Sequence, residues 1–442
     1  MAKPLVAVVG RPNVGKSTFF NRVAGSRIAI VEDTPGVTRD RIYADAQWLN
    51  RNFTLIDTGG IDPSAQDVLF SQMREQAQIA IDTCDVILFF VDGRQGMTAD
   101  DQAVADLLRR TAKPVLLVVN KMDHAGLRDQ VYDFYALGLG DPIPISSANM
   151  LGLGDLLDEV LKLLPPDEET PEGEDAPIRI AVLGRPNVGK SSLVNRLLGQ
   201  NRALVSDIPG TTRDAIDTAL ADAQGRYVLI DTAGMRRKRT IEDESIERYA
   251  IVRTLAAIHR CDVALILVDA QDGVTEQDTK IAGLACDEGK AAMIVVNKWD
   301  LPHKETGTLE AYEKQVRESF KFMAYAPILF ISALDGQRVA KVLPTARTVF
   351  SQASKRITTG ALNDVLGDAV AALQPPASGG RRLKIYYGTQ QAVRPPTFIL
   401  FINDEKLMHF AYERYLENQF RKAFGFEGTP LRIVLRERKK EA

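Results

Sequence analysis

Short, continuously apolar runs alternate with amphipathic stretches over most of the chain. Leu5–Val9, Val86–Asp92 and Val115–Asn120 have the length and the unbroken hydrophobicity of strands that are buried on both faces. From Leu153 to Leu164, leucines and a valine recur every three or four residues, which predicts an amphipathic helix. The alternation predicts an α/β fold with a mostly parallel sheet and helices on both of its faces.

The pattern occurs twice. The string GRPNVGKS at Gly10–Ser17 recurs unchanged at Gly184–Ser191, 174 residues later. Asn120–Asp123 (NKMD) matches Asn297–Asp300 (NKWD) 177 residues later. The offset between matching motifs changes by only three residues along the chain, which indicates two copies of one domain. An offset this long excludes the short repeat unit of a solenoid.

The predicted domain limits follow from this repeat. The copies span residues 1–164 and 178–351, and the 165–177 segment between them carries six acidic and four proline residues, which predicts an extended linker. Residues 352–435 differ from both copies and are followed by a basic tail at 436–442.

The C-terminal region has an α-β-β-α-β pattern. The elements are expected at Leu362–Leu373 (helix), Arg382–Thr389 and Thr397–Ile402 (strands), Leu407–Ala423 (helix) and Leu431–Leu435 (strand). Aromatic residues on the two middle strands are expected in the core, with stacking on nucleic-acid bases as the alternative; they are Tyr386, Tyr387, Phe398 and Phe401.

Composition narrows the class of protein. The chain is 442 residues long with 45% hydrophobic and 26% charged residues, which is ordinary for a soluble globular protein and excludes a wholly disordered chain. The apolar runs are too short to cross a bilayer as helices. Three cysteines cannot form a disulfide framework, and the four histidines show no zinc-ligand spacing. We expect a cytoplasmic protein without a membrane partner.

The net charge of −3 hides an asymmetry. Residues 341–442 carry 17 Lys and Arg against 9 Asp and Glu, whereas the rest of the chain is acidic. A basic C-terminal region favours a polyanionic partner such as nucleic acid, although an unevenly charged solvated surface would give the same composition.

The glycine-rich string is a phosphate-binding P-loop. A G-x-x-x-x-G-K-S sequence between a strand and a helix lets backbone N–H groups surround phosphates at the helix N-terminus. Lys16 and Lys190 are expected to reach the β and γ phosphates, and Ser17 and Ser191 are expected to coordinate Mg²⁺. The P-loop residues of the predicted sites are Gly10, Arg11, Pro12, Asn13, Val14, Gly15, Lys16, Ser17 and Thr18, and Gly184, Arg185, Pro186, Asn187, Val188, Gly189, Lys190, Ser191 and Ser192.

The next motifs surround the γ-phosphate and its metal. Asp57 and Asp231 end apolar strands and are expected in the outer shell of Mg²⁺. Thr38 and Thr212 lie in polar loops where a switch threonine would complete the Mg²⁺ shell; with the two P-loop lysines they form the predicted catalytic set. The residues after each aspartate complete this part of the sites: Thr58, Gly59 and Gly60, and Thr232, Ala233 and Gly234.

The last motifs specify the base. Asp123 and Asp300 can accept hydrogen bonds from both N1–H and N2–H₂ of guanine, which adenine cannot supply, so the nucleotide is expected to be GTP. A Ser-Ala loop follows at Ser332 and Ala333, and we align Ser146 and Ser147 with it because Gly152 and Leu156-Leu157 then match Gly336 and Val342-Leu343 in register. The base-binding residues are Asn120, Lys121, Asp123, Ser146 and Ser147, and Asn297, Lys298, Asp300, Ser332 and Ala333.

Two domains with these motifs in tandem resemble the bacterial Der (EngA) family, and the resemblance covers essentially the whole chain. It implies a KH-like C-terminal domain and GTP hydrolysis coupled to maturation of the large (50S) ribosomal subunit through its rRNA. Ile61 and Met235 stand where other small GTPases carry a water-orienting glutamine. The resemblance offers K⁺ bound by Asn13 and Asn187 as a substitute; loop capping is the alternative role of these asparagines.

RNA contacts are the least specific expectation. Arg236, Arg237, Lys238 and Arg239 follow the second DxxG motif, where they could bind RNA phosphates or a neighbouring acidic surface. In the C-terminal region, Arg381, Arg382 and Lys384 are candidates. The G-x-x-G string there, Gly425–Gly428, lies between the last helix and the last strand, which is the wrong place for an RNA-clamping KH loop.

The motifs therefore predict a monomeric GTPase with two G domains and Mg²⁺ as cofactor, and the resemblance implies K⁺ as a second cofactor and GTP-gated binding to the large ribosomal subunit. The alternative is a GTP-regulated docking protein whose C-terminal domain binds a protein and in which one G domain mainly senses nucleotide.

Overall fold

A computed structural model provides the architecture. It divides into two compact units, Met1–Pro171 with Ser245–Ala256 and Glu172–Glu244 with Ala257–Ala442. The structure describes residues 4–25, 43–57, 77–78, 80–123, 125–166, 176–200, 217–230, 245–301, 307–375, 377–378 and 381–437.

The first unit contains a mostly parallel sheet. Its strands are β1 Leu5–Val9, β2 Tyr43–Trp48, β3 Arg51–Asp57, β4 Val86–Asp92, β5 Val115–Asn120 and β6 Ile143–Pro144. They lie in the order β2-β3-β1-β4-β5-β6, and the β2–β3 pair alone is antiparallel among these described strands. The helices are α1 Lys16–Gly25, α2 Ala99–Leu108, the 3-10 segment Ala125–Leu137 and α3 Leu153–Leu163.

Strand β4 explains why its sequence is apolar without interruption. Its residues from Val86 to Val91 are fully buried, and successive side chains point to opposite faces of the sheet. Leu88 and Phe90 pack into the core beside α1 and α3, whereas Ile87 and Phe89 pack into the core beside α2. A strand covered by helices on both faces has no polar face. The continuous apolar run therefore correctly predicted a strand in the buried sheet between two layers of helices.

The second unit repeats this sheet. Its strands are β7 Ile178–Leu183, β8 Thr218–Ala221, β9 Arg226–Ile230, β10 Val263–Asp269, β11 Ala291–Asn297 and β12 Ile328–Phe330, in the order β12-β11-β10-β7-β9-β8. Its helices are α4 Lys190–Gln200, α6 Glu276–Asp287, α7 Thr308–Ser319 and α8 Val342–Ala353, with 3-10 turns at Lys321–Met323 and Val339–Lys341. Helix α5 Ser245–Arg260 is divided between the units, because its residues Ser245–Ala256 belong to the first.

Two cysteines precede the central strands of the sheets. Cys84 and Cys261 are buried, and burial raises the pKa of Cys84 to about 12 and that of Cys261 to about 11. Thiols with such pKa values stay protonated and unreactive at neutral pH. Both cysteines therefore act as small core residues.

The C-terminal region belongs to the second unit and has the predicted α-β-β-α-β order. Its main elements are α9 Thr359–Ala372, β15 Ile385–Ala392, β16 Thr397–Ile402, the 3-10 turn Glu405–Leu407, α10 Phe410–Phe424 and β17 Arg432–Glu437; β13 Ala377–Ser378 and β14 Arg381–Arg382 form a separate short pair. Strand β16 pairs antiparallel with β15 and parallel with β17. Leu362, Phe398 and Phe420 lie in the core between this sheet and its helices.

Two expectations for this region are corrected. The second helix begins at Phe410, because Asp404 caps a separate 3-10 turn and extended Met408 interrupts the helix. Tyr386 and Tyr387 are 46% and 42% exposed, so their assignment to the core was wrong. A register shift between Ile385 and Tyr387 interrupts the alternation, so that both tyrosines face solvent.

The G-x-x-G string joins the C-terminal region to the second nucleotide-binding fold. The Gly428 amide donates to the Tyr325 carbonyl (2.8 Å), and the Ala292 amide, at the start of β11, donates to the Gly428 carbonyl (2.7 Å). A Cβ on Gly428 would lie 2.6 Å from Cγ1 of Val349 on α8. The string is therefore part of a packed junction inside the second unit.

Helices in the described part of the chain are too short or too polar to cross a membrane.

Candidate nucleotide-binding sites

Each P-loop connects the carboxyl end of a central strand to a helix. Gly10 and Gly184 have φ values of +149° and +145°, and a side chain there would collide with a carbonyl oxygen of the neighbouring strand. Gly15 and Gly189, with φ of +94° and +96°, lie against the amide groups of the NKxD asparagines. Glycine is required at all four positions because the backbone takes a left-handed conformation with no room for Cβ.

The P-loop lysines lie over their own loops. Nζ of Lys16 donates to the carbonyls of Gly10 (2.5 Å) and Arg11 (2.8 Å), and Lys190 repeats these contacts with Gly184 (2.5 Å) and Arg185 (2.6 Å). Burial lowers the pKa of Lys16 to about 8, although the nearby carboxylate of Asp57 acts in the opposite direction. A desolvated ammonium held in this place suits an anionic ligand.

Two oxygen ligands of the kind that Mg²⁺ prefers lie together in the first site. The Ser17 hydroxyl donates to Oδ2 of Asp57 at 3.1 Å, and Asp57 is only 4% exposed. Asp57 ends β3 and Ser17 lies in the first turn of α1, so the sheet topology brings them together. A hydroxyl and a buried carboxylate form a hard donor set that fits a Mg²⁺ ion.

The NKxD asparagines hold two loops in place. Nδ2 of Asn120 donates to the Val14 carbonyl of the P-loop (2.7 Å), and its Oδ1 accepts from the Ser147 amide (3.0 Å). Asn297 makes the same pair of bonds to Val188 (2.8 Å) and Ala333 (2.9 Å). Each asparagine is 2% exposed. In this structure they join the phosphate loop to the base loop.

The base loops of the two copies align as predicted at their serines but not at their glycines. Ser146 bridges to Leu151 as Ser332 bridges to Gln337. Counting from these serines, Gly336 corresponds to Met150 and Gly152 to Arg338, so the predicted register of the two glycines was wrong. All four residues have positive φ, between 58° and 82°, because the turn requires left-handed backbone at two positions and each copy meets this with one glycine.

Four aspartates of the sites were missed by the sequence reasoning. Asp92 and Asp269 end β4 and β10 and bind Nζ of the NKxD lysines, Lys121 at 2.6 Å and Lys298 at 2.5 Å. Asp101 and Asp278 are fully buried; they lie 3.3 Å from the P-loop Arg11 and 3.6 Å from Arg185. The members of each pair are 177 residues apart, the offset of the NKxD motifs. Asp101 and Asp278 also complete capping boxes with Thr98 and Thr275. Either signal could have identified these aspartates from the sequence.

Several predicted site residues lie outside the described residues, and so do the positions of the missing glutamine. They are Thr38, Thr58, Gly59, Gly60, Ile61, Thr212, Asp231, Thr232, Ala233, Gly234, Met235, Arg236, Arg237, Lys238 and Arg239.

Two family profiles match the chain. One is described as a 50S ribosome-binding GTPase and matches residues 5–121 and 179–298; the other, the KH-domain-like C-terminal domain of EngA bacterial GTPase enzymes, matches residues 356–436. GTPase Der of Acetivibrio thermocellus is 60% identical over 442 residues, covering 100% of both chains. The chain belongs to the GTPase Der family.

Another Der relative matches over almost the whole chain. The protein of Alkaliphilus metalliredigens is 57% identical over 438 residues, covering 99% of each chain. A solved structure of Era with MgGDPNP and a segment of 16S ribosomal RNA covers 75% of this chain and 92% of its own, at 19% identity and a TM-score of 0.29, which is too low to support an argument.

Der membership confirms the predicted fold class, with tandem P-loop GTPase domains and a KH-like domain. It also makes the chain an enzyme that hydrolyses GTP to GDP and phosphate.

Proposed function

We propose that this GTPase binds the large (50S) ribosomal subunit and its rRNA during ribosome assembly, and that GTP at its two sites controls the binding. The observation that carries the proposal is the duplicated site: both copies hold a P-loop and an NKxD asparagine with the same hydrogen bonds. The match of both copies to a family described as 50S ribosome-binding supports the choice of partner. We further propose that the chain acts in the cytoplasm as a monomer.

We also propose the domain limits 1–164, 178–351 and 352–435 and the two nucleotide sites that the sequence predicts. Lys16 and Lys190 would neutralise the phosphates, and Asp123 and Asp300 would select guanine. Mg²⁺ is general in the family, and the Ser17 hydroxyl with Asp57 would hold it in the first site. The ion would supply positive charge against the phosphate oxygens.

K⁺ beside the phosphates is the proposed substitute for a catalytic arginine. Asn13 and Asn187 both have φ of 64°, so the two P-loops present them in the same way. Replacing NaCl by KCl should raise the GTPase rate, and Asn13→Ala with Asn187→Ala should abolish that difference. Equal rates of the unsubstituted protein in the two salts would contradict the role of K⁺.

The proposed ribosomal role is tested by sedimentation. The full chain is centrifuged through sucrose with purified ribosomal subunits, once with a non-hydrolysable GTP analogue and once with GDP. We expect co-sedimentation with the large subunit only with the analogue, and charge-neutralising substitutions at Arg381, Arg382 and Lys384 should weaken it at fixed salt. Migration at the top of the gradient in both nucleotides would refute the proposal.

A protein-docking role is the second candidate. It is favoured by the use of Gly428 in the junction with Tyr325 and Ala292, which leaves the G-x-x-G string unsuited to clamping RNA. A partner that stays bound after RNase treatment and at high salt would support this candidate against the ribosomal one.

A further inference from the structure

The guanine-reading carboxylates of the two copies have different surroundings. Oδ1 of Asp123 accepts from the Ser146 hydroxyl (2.5 Å) and from Nδ2 of Asn149 (3.1 Å). Oδ2 of Asp123 accepts from the guanidinium of Arg94, which forms an ion pair with it. In the second copy, Oδ1 of Asp300 is buried and has no hydrogen-bond partner among the described residues.

The difference comes from two substitutions on the same scaffold. The Arg94 amide donates to Oδ1 of Asp92 (3.0 Å), and the Gln271 amide donates to Oδ1 of Asp269 (2.9 Å), so Gln271 takes the place of Arg94. In the base loops, the Asn149 amide donates to the Ser146 hydroxyl at 3.2 Å. The Asp335 amide makes the same bond to Ser332 at 3.1 Å, so Asp335 takes the place of Asn149.

We infer that Arg94 competes with guanine for Asp123 and makes the first site bind guanine nucleotides more weakly than it would without this arginine. The inference rests on the proposed role of Asp123 as the residue that reads the base. Gln271 carries no charge, so it places no such competitor on Asp300.

A count of hydrogen bonds supports the competition. A carboxylate accepts about four hydrogen bonds, and among the described residues Ser146, Asn149 and Arg94 already supply three. Guanine brings two more donors, N1–H and N2–H₂, so one protein donor must leave. Hypoxanthine lacks the 2-amino group and brings only N1–H, so it competes with fewer protein donors than guanine does.

Of the two donors with the shortest contacts to Asp123, Arg94 leaves more easily than Ser146. Its side chain is 56% exposed, so water replaces the lost hydrogen bond, whereas Ser146 is fully buried. Exposed ion pairs contribute little to stability, and breaking one changes an equilibrium by about two- to five-fold. The penalty on GDP binding should have this size.

The test uses a matched pair of variants in the full-length chain. Arg94→Gln gives the first copy the side chain of the second, and Gln271→Arg does the reverse. Lys190→Ala inactivates the second site when the first is measured, and Lys16→Ala inactivates the first when the second is measured. Affinities for GDP and for IDP, the hypoxanthine nucleotide, are measured by competition with a fluorescent GDP.

We expect Arg94→Gln to tighten GDP binding at the first site by about two- to five-fold while changing IDP binding by less. Gln271→Arg should weaken GDP binding at the second site to a similar degree. The gain from Arg94→Gln should shrink at high salt, because an exposed ion pair is screened.

Two results would overturn the inference alone: unchanged or weaker GDP binding by Arg94→Gln, or an equal gain for GDP and IDP, which would indicate a general effect on the loop. If the first site bound no GDP in any variant, including the chain that keeps Arg94, the proposed function of that site would fail as well. Thermal unfolding of each variant verifies that the protein is folded.

Discussion

Gly428→Ala gives a direct test of the junction between the KH-like region and the second G domain. Gly428 has φ of +76°, and a Cβ there would lie 2.6 Å from Cγ1 and 3.0 Å from Cβ of Val349. A left-handed non-glycine residue costs about 1 kcal/mol, and overpacking a dense core costs about 1–3 kcal/mol. We therefore expect Gly428→Ala to lower the free energy of unfolding of the second unit by about 2–4 kcal/mol.

A double-mutant cycle separates the two contributions. Val349→Ala alone removes two buried methyl groups and should cost about 1.5–3 kcal/mol. In the double variant the new methyl group enters the space that Val349 vacates, so only the backbone cost of the Gly428→Ala substitution should remain. The double variant should thus be more stable than the sum of the single effects predicts, by the overpacking cost of about 1–3 kcal/mol.

Urea unfolding gives the free energies for this cycle, and hydrogen exchange of the Ala292 amide reports on the junction locally. That amide donates to the Gly428 carbonyl, so its protection should fall in Gly428→Ala. Gly367→Ala is the matched control in helix α9, where a Cβ meets nothing within 4 Å, and it should stabilise by about 0.5–1 kcal/mol. Additive effects of Gly428→Ala and Val349→Ala within about 0.5 kcal/mol would refute the packing argument.

Three further predictions concern the nucleotide sites. Lys16 has a pKa lowered to about 8, so above pH 8 the free site loses the proton that phosphate binding needs. GDP affinity at the first site should therefore fall about five-fold from pH 8 to pH 9, and Lys16→Arg should remove this dependence. Asn297→Ala leaves the Val188 carbonyl and the Ala333 amide without their partner, so it should lower the free energy of unfolding in urea by about 2–5 kcal/mol and weaken GDP binding at the second site. Unchanged stability and unchanged GDP affinity would contradict the role of Asn297 in holding the two loops. Thr98→Ala removes the cap of α2 and should lower stability by about 1 kcal/mol, with Thr98→Ser as the tolerated control in thermal unfolding.

Much of this protein could be predicted from its sequence because the signals are local. A P-loop needs its glycines, lysine and serine within eight consecutive residues, so the string alone identifies the phosphate site. The apolar run at Val86–Asp92 has to be buried on both faces, which requires a central strand between two helical layers. Because the domain occurs twice at a nearly constant offset, the order of its strands and motifs could be deduced independently from each copy.

Contacts between distant segments could not be predicted in the same way. Asp101 reaches Arg11 across 90 positions of the chain, and Arg94 reaches Asp123 from a different loop. Periodicity reports whether a side chain is buried, but it does not say which distant charge lies beside it. The predicted match of Gly152 with Gly336 failed for a related reason, since the turn needs left-handed backbone at two positions and either can be glycine.

The sequence by itself determined the duplicated α/β fold, the guanine nucleotide chemistry and the order of the C-terminal elements, because each depends on residues close together in the chain. Only the tertiary structure decided that Gly425–Gly428 is a junction with α8 and β11, that Tyr386 and Tyr387 face solvent, and that Arg94 pairs with the carboxylate expected to read guanine. These depend on which surfaces meet after folding, and packing between segments far apart in sequence sets them.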